Sequence, residues 1–105
     1  MKTVTADARP GPELAQRFSE LARQWRQETA AYSVVQRKVL HPAYQRIIGM
    51  GPAAIPLILQ ELRREPGHWF WALNAITGDD PAAPGSTFDE AVAAWLNWGR
   101  DHGYL

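Results

Sequence analysis

Residues 46–78 read RIIGMGPAAIPLILQELRREPGHWFWALNAITG, and the spacing of their apolar side chains decides the fold. Ile55, Ile58, Leu59 and Leu62 recur at intervals of three and one, then three. That pattern lines one face of an α-helix, whereas a half-buried strand would alternate apolar and polar residues. Pro52 opens this predicted helix, and Pro56 lies one turn inside it, close enough to the start to remove at most one backbone bond. Pro66-Gly67-His68 then interrupts the chain. A second helix, WFWALNAIT, runs to Gly78, a residue suited to the left-handed conformation that ends helices. Upstream, Pro42 opens a short helix AYQRII that the glycines of GMG at 49–51 close.

Working outward, Gly11 and Pro12 read as a cap and a first helical position, and Leu14, Phe18, Leu21 and Trp25 form an apolar stripe. A helix over 12–30 follows. SVVQRKVLHP (33–42) is ambiguous: Ser33 and Gln36 have capping-box spacing, while three valines also suit a strand. A short helix ending near His41 is the better reading, because no other segment offers a strand to pair with. GDDPAAPGS (78–86) is a loop, and Thr87 with Glu90 forms a capping box for a last helix over 87–102, closed by Gly103. On that helix Ala91, Val92, Trp95 and Leu96, with Phe88 and Gly99, are the expected core positions.

The expectation is an all-α array of five or six helices: a loose arm over 1–11 and one domain over 12–105. A chain of 105 residues buries roughly 65% of its unfolded surface, enough for one modest core. Five tryptophans could fill much of it, since each buries on the order of 150–250 Å². The absence of cysteine excludes disulfides, thiolate metal sites and cysteine nucleophiles. The N-terminus has no secretion-signal pattern, and the apolar run from Pro52 to Leu59 is far short of a membrane span of ~20 residues. A cytoplasmic protein with no membrane partner is expected. Net charge is zero, but residues 1–52 hold eight basic and four acidic side chains, and residues 53–105 three and seven. A division of +4 against −4 can orient a partner or favour head-to-tail association.

The pattern of 46–78, a helix ended by a glycine turn, then Pro-Ala-x-x-Pro with an aliphatic stripe, a short loop and Ala-Leu-x-x-Ile, resembles the units of HEAT-type helical repeats. The resemblance implies antiparallel helix pairs and a protein-binding scaffold without catalytic residues of its own. The flanking helices, 12–30 and 87–102, do not repeat the pattern and are expected to fold back and close the domain. HPAYQRIIGMG and HWFWALNAITG are also similar to strings in small bacterial helical proteins.

Within HWFWAL (68–73), three consecutive rings fan out at about 100° per residue on a helix. Trp69, Ala72, Leu73 and Ile76 share a face assigned to the core. Phe70 adjoins it and reaches a second neighbour, and Trp71 is the ring most exposed. His68, Phe70, Trp71 and, on the last helix, Trp98 are therefore the candidate partner-binding residues for a protein partner or a second copy of the chain. The bland alternative is that all these rings are core. Arg23, Arg26, Arg37, Lys38 and Arg46 are the material for nucleic-acid binding, which the neutral net charge disfavours. That second reading is of a regulator or neutralising partner in a bacterial two-gene module. A third reading is a small metal-dependent enzyme using His68, Asp79 and Asp80. The three histidines fall in separate elements without metal-site spacing, and GMGPAAIP lacks the lysine of a phosphate loop. No catalytic residue, metal site or cofactor is expected.

Overall fold

A computed structural model describes residues 11–105, and every regular element among them is helical. The expected arm over 1–11 lies outside the described residues, Gly11 excepted. Helix α1 spans Pro12–Thr29, α2 Val35–Val39 and α3 Pro42–Gly49. A 3-10 turn over Gly51–Ala54 leads into α4, Ile55–Arg64, followed by α5, Phe70–Thr77, and α6, Phe88–Asp101. The all-α expectation holds, with six α-helices among the described residues.

Local chemistry accounts for the boundaries. Gly11 caps α1 in extended geometry with Pro12 behind it, and Phe18, Leu21 and Trp25 of the expected stripe are buried together with Ala22, while Leu14 is half-buried. Residues 35–39 are helix, as favoured, but Ser33 and Gln36 form no capping box: Val34 is the N-cap and provides no side-chain bond. Tertiary contacts hold α2 instead. Trp25 Nε1 donates to the Lys38 carbonyl at 2.8 Å, and Gln45 Nε2 donates to that of Val39 at 2.7 Å. His41 caps α3: its Nδ1 accepts the Ala43 N–H at 3.0 Å, so Nε2 carries the proton and donates to Glu28 at 2.7 Å.

The helix expected from Pro52 instead begins at Ile55. Pro56 has no N–H to give the Pro52 carbonyl, so the intervening residues tighten into the 3-10 turn and α4 starts afresh. Gly78 ends α5 at φ 75°, donating its N–H to the Asn74 carbonyl at 2.8 Å. The capping box before α6 is complete: Glu90 N–H donates to Thr87 Oγ1 at 3.1 Å, and Thr87 N–H to Glu90 Oε1 at 2.8 Å. Thr87→Ala should therefore lower stability by about 1 kcal/mol, read as a lower urea midpoint with an unchanged m-value.

The outer helices fold back on the middle ones, α1 against α3 and α4 against α6, while α3 also packs on α5. Gly99 permits the α4–α6 approach, since a Cβ there would stand 2.7 Å from the buried Leu59 Cδ1. At the other end, Trp69 sits fully buried among Phe18, Trp25 and Tyr44, with ring centroids 4.5 Å from Trp25 and 5.6 Å from the parallel Tyr44 ring. Among the expected core positions of α6, Trp95 and Gly99 are buried. Ala91, Val92 and Leu96 are half-buried, and Phe88 is exposed, turned towards His68 and Phe70 and edge-on to both at about 5.5 Å. Among the described residues, no helix is long and apolar enough to cross a membrane.

Candidate functional site

The three neighbouring rings of residues 69–71 have three different fates. Trp69 is the N-cap of α5 and is wholly buried. One helical step on, Phe70 is half-buried and meets Phe88; another step on, Trp71 is 61% exposed. Ala72 and Leu73 return to the core. The spacing of about 100° per residue explains the sequence of inside, edge and outside.

What fixes this orientation is a phenol. Tyr44 Oη donates to the His68 carbonyl at 3.0 Å and accepts the Ala72 N–H at 2.9 Å. Ala72 is the third residue of α5, so its N–H has no partner within the helix, and the Trp69 cap makes no side-chain bond. Tyr44 thus caps α5 from α3. Burial pushes its ionisation well above the ordinary tyrosine value, with the Ala72 N–H opposing that shift only in part.

Trp71 does not stand alone. Together with Phe70 and His68 it forms one wall of an apolar cleft of about 200 Å³, whose other wall is Val35, Gln36 and Val39 of α2. Val35 in that wall is 43% exposed, and its chain neighbour Val34 is 49% exposed. Burial, and secondarily the Lys38 ammonium, hold His68 below its ordinary pKa, so the imidazole is neutral at pH 7 and suits an apolar wall. His68 also lines a second, more polar cleft with Arg26, Lys38, Glu65, Gly67 and Phe88.

Three of the four sequence candidates, His68, Phe70 and Trp71, thus come together; Trp98 has a different role. It is partly buried, its Nε1 donates to Asp79 Oδ2 at 3.0 Å, and its ring stacks with His102 and Tyr104. This ties the start of the 78–86 loop and the chain's last residues to α6. Among the basic residues, Arg26 pairs with Glu61 and Glu65, both at 3.1 Å, and Arg37 lies over the Tyr32 ring at 5.2 Å. Arg23 and Arg46 are exposed on α1 and α3. Asp79 is engaged with Trp98, and no group of three metal-ligating side chains converges among the described residues. Tyr44, which on sequence counted with Tyr32 only as aromatic material beside the basic residues, was not foreseen as the cap of α5, because neither of its partners is near it in sequence. Sequence reasoning also missed the part of α2 in the cleft, since the exposure of Val35 is set by the packing of α2 and not by its own sequence.

No family model matches the chain, and no curated protein or solved structure is significantly similar to it.

Proposed function

We propose that the protein is a non-catalytic interaction module that buries Trp71 against a polypeptide partner. Trp71 carries the reading: a large ring left 61% exposed beside an apolar cleft, on a helix start held from behind by Tyr44. An exposed aromatic next to a pocket and mounted on rigid backbone has the character of an interface hot spot. The resemblance of residues 46–78 to HEAT-type units, which mostly bind proteins, points the same way. The division of charge, +4 in residues 1–52 and −4 in residues 53–105, supports self-association as the form it takes.

Light scattering after gel filtration tests this across a range of concentrations. Wild-type protein should show a mass that rises with concentration, and Trp71→Ala should shift that rise to at least tenfold higher concentration, the equivalent of about 1.4 kcal/mol. Melting of the variant should stay close to wild type, because an exposed side chain supports little of the core. A variant that associates like the wild type, or that unfolds, would refute the role of Trp71.

A further inference from the structure

His68 is shared by both clefts: it stands in the wall of the apolar one with Phe70 and Trp71, and it lines the polar one with Arg26, Lys38 and Glu65. The other two histidines are engaged elsewhere. His41 is bonded to Glu28 and to the Ala43 N–H, and His102 Nδ1 to the Trp98 carbonyl. The His68 imidazole instead lies edge-on to the Phe88 ring at 5.5 Å.

A titratable ring in the wall of an apolar cleft makes the character of that wall depend on one proton. Uncharged, the imidazole tolerates a surface that closes over Trp71 beside it. Charged, it would be stripped of water by the same contact, which is costly unless an anion pairs with it. The groups around it supply no free anion among the described residues. From α2 it faces the Lys38 ammonium, a like charge. Across the polar cleft α1 presents Arg26, and the C-terminal end of α4 presents Glu65, whose carboxylate is taken up by Arg26 at 3.1 Å. The remaining neighbours, Val35, Gln36 and Val39 of α2, Phe70 and Trp71 of α5 and Phe88 of α6, carry no charge. Burial and Lys38 therefore act in one direction, both favouring the neutral ring.

We propose that His68 is a proton-operated switch on self-association: with its ring neutral the Trp71 surface closes against a second copy, and protonation of the ring opens that contact. The proposal rests on the reading of the protein as a self-associating module, and it adds how that association is regulated. The sign follows from which state takes up the proton. Below the His68 midpoint the separate chains bind a proton that the complex must release, so association is complete above the midpoint and is lost as pH falls through it. Reciprocity then requires that association lower the midpoint of the ring itself.

The His68 Cε1–H resonance of the wild-type protein reports that midpoint without any substitution. Followed from about pH 7.5 to about pH 5, above the ordinary glutamate value of about 4.3, it should titrate at lower pH in concentrated than in dilute protein. Light scattering over the same range should show association weakening by up to about tenfold per pH unit below the dilute midpoint for each His68 buried. His68→Gln keeps the backbone carbonyl to which Tyr44 donates and places an uncharged side chain in the wall. It should associate at about pH 7.5 and stay nearly as strong at about pH 5, although His41 and His102 still titrate. Circular dichroism confines the comparison to pH values at which the helices are intact. A His68 midpoint indifferent to protein concentration would overturn the proposal, and so would a glutamine variant that loses association in acid as the wild type does. Association that Trp71→Ala weakens and pH leaves unchanged would overturn the switch alone, whereas no association at any pH would overturn the Trp71 reading with it.

Discussion

Trp69→Ala should lower the free energy of unfolding by about 3–5 kcal/mol, the range for emptying a buried aromatic site. The indole is 0% exposed and touches Phe18, Trp25 and Tyr44, so the vacated space is bounded by three large rings contributed by α1 and α3. Rigid rings on separate helices collapse into a cavity poorly, which places the cost towards the upper end. Against a typical domain stability of about 5–15 kcal/mol, the loss is a large fraction of the whole. Urea unfolding followed by circular dichroism measures it. The contrast with Trp71→Ala, two residues along and expected to cost within about 0.5 kcal/mol, separates the inside ring from the outside one in a single experiment.

Tyr44→Phe should cost about 2–4 kcal/mol although it removes one oxygen. The ring stays packed, but the His68 carbonyl and the Ala72 N–H both lose their partner, and each buried orphan costs about 1–3 kcal/mol. Alkaline pH supplies an independent check. Burial raises the folded-state ionisation of Tyr44 above its ordinary value of 10.0. Below that value both folded and unfolded phenols are protonated, and the contribution is fully present. Above it the unfolded chain ionises first, so stability falls by up to about 1.4 kcal/mol per pH unit. The phenylalanine variant lacks this dependence, so the gap between variant and wild type should narrow above pH 10.0 in paired urea titrations. A gap that stays constant with pH would show that the phenol is not held neutral by burial.

The parts of this molecule that could be read from sequence are those governed by neighbours a few residues apart. The Phe18, Leu21, Trp25 stripe, the Thr87–Glu90 box, the Gly78 stop and the outward turn of Trp71 all follow from helical spacing and terminal chemistry. Long-range partners decided the rest. Val34 rather than Ser33 caps α2, and the bonds that tie this short helix down come from Trp25 and Gln45, 13 and 6 residues away from the carbonyls they reach. Phe88 left the core because His68 and Phe70 offer it ring edges. Trp98, alike on paper to Trp71, was claimed by an Asp79 carboxylate 19 residues away. No local pattern announces such pairings. For the candidate site, three of the four residues were therefore legible, and the cleft they share with α2 was not.

Hydroxyl-radical footprinting of the five tryptophans at low and high protein concentration tests the central claim most directly. In dilute protein Trp71 should oxidise fastest, with Trp69 and Trp95 inert. As concentration rises, Trp71 should become protected together with Val35 and Phe70. Equal oxidation of Trp69 and Trp71 in dilute protein, or a Trp71 rate that ignores concentration, would contradict an outward ring that buries itself in a second copy.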